Sequence, residues 1–154
     1  MNINQVDLFN TPGIYYGTAY WISSMVFLSV RGDRRTGLPV LMKQLLVLAA
    51  LDTFMLLGYN RVPQILFPFT VAAELALIFL NLHLGSEMGR KELFYTSVRA
   101  FIVGELASAL HWQLFYFALT SLHMPLRFLV NCLFQIPAWL FVFEIGRASC
   151  RERV

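Results

Sequence analysis

Five apolar stretches, at residues 13–30, 43–59, 63–84, 93–120 and 127–143, each approach or exceed the length needed to cross a bilayer, in a chain of only 154 residues. A hydrocarbon core about 30 Å thick takes about 20 helical residues at a rise of about 1.5 Å each. With 58% hydrophobic residues, little sequence is left over for a separate soluble domain. Lipid offers no hydrogen bonds to the backbone, so each crossing segment must satisfy its own N–H and C=O groups; that leaves helices or a closed barrel. Barrel strands alternate polar and apolar residues, and no such alternation runs through these segments. The expected fold is all-α: a polytopic transmembrane bundle of about five helices, forming one domain over residues 1–144, with no internal repeat or linker.

The last ten residues, 145–154, read IGRASCRERV. Their reverse translation, ATC GGA AGA GCG TCG TGT AGG GAA AGA GTG, reproduces a common sequencing-library adapter. We treat them as a non-native tail, and we expect the natural reading frame to continue past Phe143. The tail carries Arg147, Arg151 and Arg153 against Glu152, two of the three net positive charges, and without it nine basic face eight acidic residues. The basicity therefore gives no reason to expect a nucleic-acid partner. Without Cys150, Cys132 stands alone in an apolar stretch, so no disulfide or metal pair is expected, and a small buried hydrophobe is its expected role.

Short loops obey the positive-inside rule. The segment after the first stretch, RGDRRTGLPVLMK, carries Arg31, Arg34, Arg35 and Lys43, and the one after the third, GSEMGRKE, carries Arg90 and Lys91. Only Arg61 and Arg127 lie on the other side. The N-terminus is thus expected outside, with Tyr15, Tyr16, Tyr20 and Trp21 as an aromatic anchor at the outer interface. Pro63, Pro125 and Arg127 mark outer turns, while Pro68 and Pro137 fall within apolar stretches and are expected to kink them.

Asp52, Glu74 and Glu105 each sit near the middle of a segment, and Arg99 lies about six residues into the fourth. A central charge costs about 2.5–3.5 kcal/mol on insertion scales, so these four must face the bundle, pair, or be neutral. They form a candidate intramembrane polar core, either a packing network or the lining of a ligand or ion cavity. Arg99 has two outlets, an ion pair with Glu74 or Asp52, or snorkelling to headgroups. Arg99 and Glu105 are some 120° apart around their helix and need partners elsewhere. Between and beyond them runs Ala100-xxx-Gly104-xxx-Ser108, a small-residue face that lets another backbone approach. The fourth helix is therefore expected at the bundle centre, with Trp112 and Gln113 as further packing candidates. His83, His111 and His123 share no metal-ligand spacing and read as interface or packing histidines. No catalytic motif such as GxSxG, HExxH or GxxxxGK[ST] occurs.

Residues 97–117, SVRAFIVGELASALHWQLFYF, resemble the fourth membrane helix of a group of bacterial GHKL-type sensor histidine kinases, with the pattern R-A-F-x-x-x-E-x-x-x-x-L-x-W-Q-L. Here it reads Arg99, Ala100, Phe101, Glu105, Leu110, Trp112, Gln113 and Leu114. The resemblance is strong over about twenty residues; the order of spans and the basic first loop agree more loosely. It implies a membrane signal-input region in the bacterial cytoplasmic membrane, in a homodimer with the lipid bilayer and an unidentified signal ligand as partners. ATP and magnesium belong, on that resemblance, to a kinase domain outside these residues, so no cofactor is expected here, and no histidine of this chain inherits the phospho-acceptor role. The alternatives are part of a small-solute transporter, with Asp52, Glu74 and Glu105 as substrate or proton sites, or a structural membrane subunit.

Overall fold

A computed structural model describes residues 13–31, 35–58, 64–119, 140 and 143–144. Every regular element there is helical. Helix α1 spans Gly13–Arg31, α2 Leu38–Gly58, α3 Phe67–Gly85 and α4 Arg90–Leu119, with a 3-10 turn at Gln64–Leu66 leading into α3. The expected fifth helix lies outside the described residues except for Leu140 and 143–144, which are helical. Arg34, Arg61, Pro63, His123, Pro125, Arg127, Cys132, Pro137 and the tail also lie outside them.

Three helices, over Leu38–Leu57, Phe67–Gly85 and Arg90–Gln113, are long and apolar enough to cross a membrane. Among the described residues their outward faces are open: Leu46, Leu56, Leu57, Phe69, Phe94 and Ile102 are all more than half exposed. Water would penalise that surface at about 25 cal/mol per Å², whereas hydrocarbon does not. The interior shows the complementary bias. Ser23, Ser24, Gln44, Glu74, Asn81, Ser97 and Ser108 are buried beside Tyr20, Leu28, Leu51, Ile78 and Leu82. This is a membrane protein built from a helix bundle with a partly polar core.

Helix α1 packs against each of the other three, α2 and α4 flank it, and α3 closes the group. Among the described helices α1 is the most extensively packed, and its largest interface is with α4. The reason lies in side chains. Tyr20, Ser23 and Ser24 leave α1 toward different neighbours, and their polar atoms are usable only where another helix answers them. The same residues keep α1 below the apolar composition of a self-evident span. Tyr16 and Tyr20 are buried, so they pack the interior and are not the interface anchor that their sequence position suggests.

The helix bounds differ from the hydropathy reading in instructive ways. Helix α2 begins at Leu38, five residues before Lys43, because Pro39 is accommodated in the first turn, where no intrahelical N–H bond is lost. Gly37, at φ +140°, makes the entry turn that a side-chain-bearing residue would resist. Pro68 likewise occupies the first turn of α3, so it starts that helix and does not kink it. Helix α4 begins at Arg90, and with 30 residues it is about 45 Å long, more than the hydrocarbon thickness.

At one end the two hairpins are joined. The Arg35 N–H donates to the Gly85 carbonyl at 2.8 Å, and its guanidinium lies 3.5 Å from Glu87. Both side chains of the ion pair are largely exposed, so the pair contributes about 0–1 kcal/mol and the main-chain bond is the firmer tie. The connection from α1 to α2 and that from α3 to α4 therefore share one side of the bundle.

Candidate functional site: an inter-helix polar layer

The mid-depth layer of the bundle is organised by Tyr20. Its position on the buried face of α1 sends the phenol toward α4, where the hydroxyl donates to Glu105 Oε1 at 2.7 Å. The approach depends on Gly104. A methyl group there would lie 2.7 Å from Tyr20 Cδ1, closer than real contacts allow, and a tight 3.2 Å from its Cα and N. Ala100 and Ser108 extend the same face and are both buried. Ser23, on the next exposure of α1 to this face, donates to the Ala100 carbonyl at 2.7 Å. Phe101 stacks on Tyr20 with ring centroids 5.1 Å apart. Glu105 therefore takes its partner from another helix, across a seam of small residues.

Glu74 enters the layer from α3. It is buried, and it lies near enough to Tyr20 and Glu105 to interact electrostatically with both. The phenol has one proton to donate, and in this structure it goes to Glu105. Three helices thus meet at three ionisable groups.

Asp52 and Arg99, the other two candidates, are placed outside this layer. Asp52 is half-buried at the contact of α2 with α1, where it accepts from Thr18 Oγ1 at 3.5 Å, a long bond, and packs over Gly17. Arg99 makes no ion pair with Glu74 or Asp52. Its guanidinium lies over the Tyr95 ring, 5.2 Å from the centroid, one turn toward the start of α4. Side chains lean naturally toward a helix N-terminus, and here that direction leads to the expected cytoplasmic rim. Because α4 starts earlier than hydropathy suggested, Arg99 is about 14 Å from its beginning by helical rise.

Of the two further packing candidates on α4, Trp112 is buried and meets the Tyr15 ring at 5.7 Å, whereas Gln113 is exposed and does not belong to the packed face. His111 is buried with its ring 5.2 Å from that of Tyr15, and His83 is exposed and stacks on Phe79. Among the described residues no three His, Cys, Asp or Glu side chains converge as metal ligands.

Sequence reasoning missed several members of the interior. Tyr20, Ser23, Ser24, Gln44 and Asn81 all carry inter-helix polar contacts or are buried with them. One signal was present: Gly13 and Gly17 form a small-xxx-small pair on α1, and both lie against α2, Gly13 beneath the Met55 carbonyl and Gly17 beneath Asp52. Comparison of the chain with protein-family models, with curated proteins and with solved structures finds no match.

Proposed function

We propose that this chain is the membrane-embedded signal-input region of a sensor histidine kinase, working in a bacterial cytoplasmic membrane with its N-terminus outside. One observation carries the reading. Glu105, the acidic position of the pattern that resembles such kinases, is hydrogen-bonded to α1 through Tyr20 beside the Gly104 contact. A ligand that shifts α1 against α4 changes the length of that bond, in a layer where Glu74 of α3 is a second buried carboxyl. The differential stability of the two arrangements is what a signal has to bias, since a ligand moves an equilibrium only by its unequal affinity for the two states. The output module, a cytoplasmic helix bearing the phospho-acceptor His followed by an ATP- and magnesium-binding domain, belongs to the same gene product on this proposal. The working unit is a homodimer, and the signal is an unidentified ligand reaching the bundle.

Sequencing the source DNA through the junction after Phe143 tests the proposal directly. The expected outcome is a continuing frame with two further spans and then a His-bearing helix and an ATP-binding module. Seven crossings bring the carboxyl end to the side where ATP is found. A stop codon directly after residue 143, or further spans with no soluble domain, rejects the kinase reading in favour of a structural subunit or a transporter.

A further inference from the structure

The junction of α1, α2 and α3 gathers polar groups that the Tyr20 layer does not use. Trp21 Nε1 donates to the Gln44 carbonyl oxygen at 2.9 Å. The Asn81 amide nitrogen donates to Ser24 Oγ, whose own hydroxyl donates to the Trp21 carbonyl at 2.7 Å. Since the Ser24 proton is already committed, Asn81 must present its NH2 to Ser24, and its oxygen is the atom left over. Asn81 Oδ1 and Gln44 Nε2 are both buried without a hydrogen-bond partner among the described residues. The two residues are 0% and 1% exposed.

These two atoms are complementary, an acceptor and a donor. They also converge. Gln44 Nε2 reaches α3 at Gly85, occupying the place where a side chain would begin, with Leu28 Cδ1 2.6 Å from the same point. Asn81 is one turn earlier on the same face of α3, about 5–6 Å away between Cβ positions. A single molecule that accepts from one group and donates to the other would satisfy both. Gly85 is needed for the arrangement, because any β-carbon there would displace the Gln44 amide.

We infer that this junction is a binding site for one small hydrogen-bonding molecule of the size of water, which accepts from Gln44 Nε2 and donates to Asn81 Oδ1. Buried waters hold two to four such bonds and behave as part of the structure. The site is built from three helices and lies directly below the Arg35 to Gly85 main-chain bond, so its guest ties the two hairpins together at the end where the backbone already joins them. It is distinct from the Tyr20, Glu74 and Glu105 layer and does not depend on the kinase reading.

The test is X-ray hydroxyl-radical footprinting of the full chain in lipid nanodiscs, with water itself as the probe, since bound water generates radicals where it sits. Leu28 and Leu51 are equally buried, at 1% and 0% exposure; Leu28 lies against the Gln44 amide at Gly85, whereas Leu51 is two turns along α2 from Gln44, about 10 Å by helical rise. The expected result is severalfold faster oxidation of Leu28 than of Leu51, abolished by the double substitution Gln44→Leu with Asn81→Leu. Equal rates at the two leucines in the unmodified chain overturn the inference without recourse to any variant. Rapid Leu28 oxidation that survives the double substitution overturns it as well, because the radicals then come from elsewhere.

Discussion

Tyr20 shows how much one hydroxyl decides in an interior of this kind. Tyr20→Phe keeps the ring stacked on Phe101 and removes the donor to Glu105. Inter-helix hydrogen bonds in membranes are worth about 0.6–2 kcal/mol, so we expect a loss of that order, read as a lower midpoint of thermal unfolding in detergent. Glu105→Leu is expected to cost more than Glu105→Gln, because glutamine keeps an oxygen that accepts from Tyr20, whereas leucine leaves the phenol buried without an acceptor. Equal melting midpoints for those two variants would show that the Tyr20 bond contributes nothing to packing. Glu105 was legible in the sequence because a mid-span carboxyl is too costly to face lipid. Tyr20 was not, since a tyrosine eight residues into a span reads as an interface anchor until its partner on another helix is known. Arg99 was half legible: its cost was evident, but the choice between an ion pair and the Tyr95 ring depends on side-chain direction.

Between elements, the contacts are set by glycines under a neighbouring backbone. Gly104→Ala places a methyl group against Tyr20 Cα and N, atoms that cannot move without moving α1. Overpacking of that kind costs about 1–3 kcal/mol, and the same melting assay should show it. Pro68→Ala should differ from the parent by no more than about 0.5 kcal/mol, because Pro68 is exposed in a first turn where no intrahelical bond is at stake. A large loss there would restore the interior kink that hydropathy suggested. The four helices could be read from apolar runs within a few residues, as those runs record what lipid tolerates. Their ends could not, since Leu38 to Lys43 and Arg90 to Glu92 become helical through first-turn geometry that hydropathy does not register. That α1 is the most extensively packed of the described helices was hidden for a related reason: burial within protein and burial in lipid both select apolar residues, and the polar side chains of α1 are what distinguish them.

For the molecule as a whole, the main-chain bond from Arg35 to Gly85 requires both flanking connections to lie on one side of the membrane. With the basic residues of those connections, this predicts that single cysteines at Thr36 and Arg90 are both protected from an impermeant thiol reagent in intact cells and both react after permeabilisation. Labelling of both in intact cells would invert the topology. Labelling of one alone would contradict the bundle itself. The same bond has a mechanical meaning. A bundle stitched at one rim behaves as a pair of tongs, its pivot near Gly85 and its tips where Tyr15 meets His111 and Trp112. Small rotations about the pivot are amplified with distance, so the aromatic tips move farthest and the residues beside the stitch hardly move at all.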